Sequence, residues 1–255
     1  MEPVYSPVIG AALLLFRSMG WKIRVSGAEH IPVTGPGVVA TNHVGYLDFT
    51  FVGYGVREQR RMLRFLAKKE IFDHPVAGPL MRGMKHVPVD RFGRPQDAFN
   101  AAIDALRSGE LIGMFPEATI SRSFVPAAGK SGAARMAMAA SAPLIPGAVW
   151  GSQRILTKGR PRNLQRNLPI TVDFGPPVEY APDEDPTAVT KRLMESIDTL
   201  VDRASRAYPD RPAGPSDSWW LPAHLGGGAP TVEQADAMAA EERAARRARR
   251  EKEEP

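Results

Sequence analysis

The 255-residue chain contains no cysteine. That excludes disulfides, thiolate metal sites and cysteine nucleophiles, and it gives no sign of an oxidising compartment. A Gly-x-Ser-x-Gly nucleophile elbow is absent, as are a phosphate-binding Gly-x-x-x-x-Gly-Lys-Ser/Thr loop and a Gly-x-Gly-x-x-Gly turn after a strand. His30, His74, His86 and His224 are scattered without ligand spacing, so no metal site and no cofactor is expected. Zinc-knuckle, RNP-type and helix-turn-helix signatures are missing too, so nucleic acid is not an expected partner. No apolar run reaches the roughly 20 residues that span a bilayer. The most apolar stretch, Pro7 to Phe16, has about half that length, and Glu2 rather than Lys or Arg precedes it. It makes a poor signal peptide.

What remains is the composition of a globular protein, 43% hydrophobic and 24% charged. The net charge of +5 favours anionic partners. Arg17, Trp21 and Lys22 follow the apolar N-terminal stretch, a pattern that suits a helix at a membrane interface, on the domain core, or with one face on each. Arg57, Arg60, Arg61, Arg64, Lys68 and Lys69 form a basic cluster, read as a solvated surface or an anion-docking one.

Strands and helices alternate along the chain. Strands are predicted at Trp21–Gly27, Gly37–Thr41, Met62–Ala67, His86–Val89, Leu111–Phe115, Leu144–Trp150 and Pro169–Phe174. Helices are predicted at Asp48–Val56, Pro75–Gly83, Gln96–Arg107, Ser131–Ala140 and Thr187–Arg206. The fold class is therefore α/β, a single domain with a largely buried mixed sheet flanked by helices. Three segments are expected: an N-terminal interfacial helix over 1–20, the domain over 21–208, and a mobile or partly helical tail over 209–255. The tail is rich in Pro, Gly and Ser, then in Ala, Glu and Arg. Trp219 and Trp220 are the exception within it, and are expected to dock on the domain or on lipid.

The chemistry concentrates at Asn42-His43-Val44-Gly45-Tyr46-Leu47-Asp48. His43 leaves the C-terminal end of a buried strand, where open sheets present their sites. Asp48 is typed as a helix N-cap. The loop between them is short enough for the carboxylate to hold one imidazole nitrogen, leaving the other to accept a proton.

Asn42-His43 through Asp48 resembles the first motif of the glycerolipid acyltransferases, the 1-acyl-glycerol-3-phosphate acyltransferase family. Gly83 to Arg91 resembles the second motif, Phe115-Pro116-Glu117-Ala118-Thr119 the third, and Ala142 to Ala148 the fourth. The four cover about residues 35–150 in the family's order. The resemblance implies transfer of a fatty acyl group from acyl-CoA or acyl carrier protein to the free hydroxyl of lysophosphatidate. The product is phosphatidic acid, and no covalent enzyme intermediate is formed. Another phosphorylated or glycolipid acceptor, a thioester hydrolase and a non-catalytic lipid-binding protein are the alternatives.

His43 and Asp48 then carry the catalysis, with His43 as general base. Arg91 is implied for the acceptor phosphate, and Glu117 and Thr119 for the acceptor; Arg122 and Lys130 are further cations for it. The turn at Gly45 is a candidate source of oxyanion donors. The short apolar N-terminal stretch and the net positive charge predict peripheral attachment to an anionic membrane surface, expected on the cytoplasmic face of the cell membrane. One departure stands out. The family's Phe-Pro-Glu-Gly-Thr-Arg-Ser reads here with Ala118 for glycine and with Arg122-Ser123 two residues late. A positive φ at Ala118 would be strained.

Overall fold

The computed structural model describes residues 4–90 and 95–253. The N-terminal helix α1 (Tyr5–Met19) leads into strand β1 (Lys22–Ser26) and then β2 (Gly37–Thr41). Next come α2 (Asp48–Val56), β3 (Leu63–Lys68), the short helices α3 (Lys69–Asp73) and α4 (Ala77–Gly83), β4 (Val87–Val89), α5 (Pro95–Arg107) and β5 (Leu111–Met114). Helix α6 (Gly132–Ala139), β6 (Leu144–Trp150), β7 (Pro169–Phe174), α7 (Pro186–Arg206) and α8 (Val232–Glu253) complete the chain.

The seven strands form one sheet in the order β1-β7-β6-β2-β5-β3-β4. Five neighbouring pairs are parallel and β6–β7 is antiparallel. Every residue of β2 and of β6 is buried, which requires cover on both faces and explains why these strands read as unbroken apolar runs. Helices α5, α6 and α7 pack side by side on one face. Helix α2 covers the other, where Phe51 stacks on Phe16 of α1 with ring centroids 5.0 Å apart. The β2-to-β3 and β5-to-β6 crossovers run in opposite directions along the sheet, so right-handed connections place α2 and α6 on opposite faces. Val189, Leu193, Ile197 and Leu200 form the buried stripe of α7, as their 3.6-residue spacing predicts.

Helix α1 divides its surface. Tyr5 and Phe16 are buried, whereas Leu14 and Leu15 stand in solvent. Among the described residues no helix is long and apolar enough to cross a membrane. The basic cluster is not uniformly solvated. Arg64 is buried, with its guanidinium on Glu110 and on the Met84 carbonyl. Arg61 ties together the carbonyls of Pro32, Gly35 and Gly109.

In the segment after α7 the tryptophans dock on the domain, one of the two places expected for them. Trp220 is 1% exposed and packs edge-on against Tyr208, and the Arg154 guanidinium lies 4.5 Å from its ring centroid. Arg154 also pairs with Asp210. The indole area that Trp220 buries is what holds a Pro/Gly/Ser-rich segment against the domain. Trp219 is half-buried, with Arg160 over its ring.

Candidate active site

Strand β2 lies between β5 and β6 and runs parallel to both. The C-terminal ends of three strands therefore converge, and each contributes a loop. Asn42 fixes the exit of β2, with its side-chain amide exchanging two hydrogen bonds with the backbone of Val149 in β6. His43 follows at the sheet edge.

The His43 Nδ1 and Asp48 Oδ2 atoms are 2.8 Å apart. Asp48 is 0% exposed, and its carboxylate is fully occupied. Oδ2 also accepts the N–H groups of Val44 and Gly45, at 2.7 and 2.9 Å, and Oδ1 accepts the Ser152 hydroxyl. Asp48 is thus not the N-cap that its position in the sequence suggested. It is the first residue of α2, Leu47 takes the cap position, and the side chain turns back into the loop. Three donors beside the imidazole reward that turn more than the helix terminus would. The Gly45 N–H is spent on Asp48, which removes it as an oxyanion donor. Gly45 has its own requirement: a Cβ there would meet Ser152 and Leu156 backbone at 3.1 Å.

A carboxylate that accepts on this side selects the tautomer with hydrogen on Nδ1 and leaves Nε2 as the basic nitrogen. The His43 side chain is 19% exposed, so it is open enough to reach a substrate. Its ring lies flat on Phe115, 4.0 Å between centroids and 12° between planes.

The loop is gripped from both neighbouring strands. After β5, one oxygen of Glu117 accepts the His43 N–H at 2.9 Å, the other accepts the Ala127 N–H at 3.0 Å, and the Ser121 N–H donates to the His43 carbonyl at 2.8 Å. After β6, the Thr157 hydroxyl donates to the Val44 carbonyl at 2.6 Å, and the Tyr46 N–H donates to the Leu156 carbonyl at 2.9 Å. Burial pushes the Glu117 carboxyl up to about 7, against the pull of its two N–H donors. His86, by contrast, is a packing residue. Its Nδ1 accepts the Phe65 N–H at 2.9 Å, and burial lowers it to about 4, with Arg64 adding to the effect.

The sequence-derived substrate residues divide. Glu117 lies beside His43, but both of its oxygens are committed to main-chain N–H groups, which makes it a brace for the loop. Thr119 and Lys130 are exposed on the same loop. Arg122 is mostly buried and pairs with Glu242 of α8. Arg91 lies outside the described residues. Ala118 adopts φ +56°, the left-handed conformation that the family's glycine takes freely. Ser121, Ser152 and Thr157 were not singled out in the sequence. Single hydroxyl residues in loops carry no motif, and only the fold brings 152 and 157 to the 43–48 loop.

Comparisons with known proteins give the family. The acyltransferase family model matches residues 22–150, half of the chain. A 1-acyl-sn-glycerol-3-phosphate acyltransferase of Bacillus subtilis is 30% identical over 152 residues, 58% of this chain and 74% of that one. One from Limnanthes douglasii is 29% identical over 187 residues, 69% and 60% of the two chains. An uncharacterized protein of Mycobacterium tuberculosis is 30% identical over 167 residues, and there the match spans 44% of the longer relative. The crystal structure of the 1-acyl-sn-glycerophosphate acyltransferase from Thermotoga maritima superimposes with a TM-score of 0.64 at 21% identity, covering 81% of each chain, and shows the same fold. The matched region holds His43, Asp48 and Glu117 with the strands that position them, and the chain belongs to the acyltransferase family.

Proposed function

We propose that the protein acylates the free hydroxyl of 1-acyl-glycerol-3-phosphate from a fatty acyl thioester and so makes phosphatidic acid. The carrying observation is the buried Asp48 on Nδ1 of a partly open His43. In this reading the acceptor hydroxyl gives its proton to Nε2 as its oxygen attacks the thioester carbonyl. Asp48 stabilises the imidazolium that forms. The tetrahedral oxyanion then collapses, the carbon–sulfur bond breaks, and the imidazolium returns its proton to the thiolate. The names of the Bacillus and Limnanthes relatives support the choice of acceptor. The donor is acyl-CoA or acyl carrier protein, both anionic and suited to a chain of net charge +5.

We place the protein peripherally on the cytoplasmic face of the cell membrane. Leu14 and Leu15 of α1 and Ile71, Val76 and Leu80 around α3 and α4 are exposed. A side chain built at Gly83 of α4 would meet Val4, so α4 ends beside the start of α1. Exposed apolar side chains on these helices suit insertion into the headgroup layer. High salt or carbonate should release the protein from membranes, and resistance to both would overturn the placement.

Purified protein should be incubated with lysophosphatidate and a long-chain acyl thioester in liposomes, with His43→Ala beside it. Phosphatidic acid formed by wild type and lost in the variant is the expected result. Thiol release without new lipid would overturn the transferase reading in favour of a hydrolase or another acceptor.

A further inference from the structure

Arg122 and Lys158 come from different loops, yet each directly follows a residue that clamps the His43 loop. The Ser121 N–H holds the His43 carbonyl, and the Thr157 hydroxyl holds the Val44 carbonyl. The two cations are sunk to similar depths, 17% and 18% exposed. Both pair with one carboxylate, Glu242 of α8, far along the chain. Lys158 and Arg122 hold that carboxylate below the usual glutamate range.

The surroundings are shaped around the guanidinium. Gly159 has φ +77°, and a Cβ there would fall 2.3 Å from an Arg122 terminal nitrogen. Arg122 Nε is buried without a hydrogen-bond partner among the described residues, so the pair has donor capacity that Glu242 does not use. A guanidinium and an ammonium converging on one point suit a dianionic phosphate monoester better than a single carboxylate.

Arg122 is already a cation that the resemblance implies for the acceptor; we propose that Lys158 completes a phosphate-monoester site with it at the edge of the catalytic loop, and that Glu242 of α8 occupies this site as an internal competitor. Helix α8 is then a strap that the phosphate of an incoming ligand displaces. Residues 243–250 carry Arg243, Arg246, Arg247, Arg249 and Arg250 and no acidic residue. An anionic lipid surface attracts such a segment and draws the strap away from the site. The inference rests on the preceding section only for the identity of the acceptor.

The test is direct binding to the full chain, measured by calorimetry with inorganic phosphate and with glycerol 3-phosphate. Vesicles of phosphatidylcholine with and without lysophosphatidate form a parallel arm that separates a lipid headgroup from a free phosphate ester. Glu242→Gln should bind both soluble probes about three- to tenfold more tightly than wild type. Glu241→Gln, which removes the same charge from an exposed neighbouring position, should bind as wild type does. Adding Lys158→Ala to Glu242→Gln should cancel the gain.

Equal binding by wild type and Glu242→Gln, or an equal gain in Glu241→Gln, would overturn the proposal. Circular dichroism spectra and melting temperatures like those of wild type exclude misfolding as the cause. Acylation assays on the same proteins keep the two readings apart. Tighter phosphate binding without acyl transfer would sink the acceptor assignment and leave the site standing. Acyl transfer with an acceptor KM unchanged by Glu242→Gln would sink the strap alone.

Discussion

One oxygen of Glu117 accepts the main-chain N–H of His43 at 2.9 Å, and burial pushes this carboxyl up to about 7. A carboxyl raised from 4.5 by folding contributes stability that is complete below pH 4.5 and gone above about 7, of the order of 3 kcal/mol at most. Glu117→Gln has no such proton to bind. Wild type should therefore lose stability relative to Glu117→Gln as pH rises from 4.5 to 7, as read by urea unfolding at pH 5 and pH 8. Parallel curves would show that Glu117 does not titrate in this window.

Asp48→Asn keeps the shape of the loop residue but replaces a pure acceptor by an amide. Its NH2 group would face the N–H donors of Val44 and Gly45 or favour the wrong imidazole tautomer. In hydrolases with a comparable Asp–His pair, that substitution costs about 10⁴ in kcat. We expect a loss of about 10³- to 10⁴-fold here, measured as acyl transfer under saturating acceptor. A loss under tenfold would remove His43 from the role of general base.

Ser152→Ala leaves Oδ1 of a buried carboxylate without its hydroxyl donor. The expected cost is about 1–3 kcal/mol of stability, together with a fall in kcat at nearly constant acceptor KM. Ser152→Thr keeps a hydroxyl and should recover more of the activity than alanine does. A variant that lost affinity for the acceptor instead would place Ser152 in substrate binding.

Ala118→Gly removes the strain of φ +56° on a residue with a Cβ. The left-handed penalty of about 1–2 kcal/mol exceeds the extra unfolded-state entropy of glycine, which is about 0.5–1 kcal/mol. The variant should melt about 2–4 °C higher than wild type. A lower melting temperature would mean that the alanine methyl contributes packing that outweighs the strain.

Trp220→Ala should destabilise the protein by about 3–5 kcal/mol, because it empties the site under Arg154 and beside Tyr208. Trp219→Ala, at a half-buried ring, should cost much less. Equal and small effects would detach the C-terminal segment from the domain.

The central strands were legible because they sit in the middle of a sheet covered on both faces. Gly37–Thr41 and Leu144–Trp150 are continuous apolar runs, and the structure places β2 and β6 at those bounds. Helix α2 begins at Asp48 as its pattern suggests, yet the carboxylate serves the loop behind it, which helix-end statistics do not contain. Helix α3 was missed because five residues, Lys69 to Asp73, are too few to show a period. His43 and Asp48 lie in one local motif and could be read together. Ser152 and Thr157 act on that motif across more than a hundred residues, a distance over which sequence alone gives no geometry. In the Pro/Gly/Ser stretch the paired tryptophans signalled docking, but the choice between domain and lipid was not legible, because it depends on Tyr208 and Arg154 from elsewhere in the chain.

The clamp on residues 43–46 has a consequence for folding. Its contacts come from the chain after β5 and after β6, and neither strand neighbours β2 in sequence. Every such contact closes a long loop, so no partly folded chain that lacks β6 can hold the imidazole in place. Recovery of activity during refolding should then lag helix formation and report the last strand pairing of the central sheet.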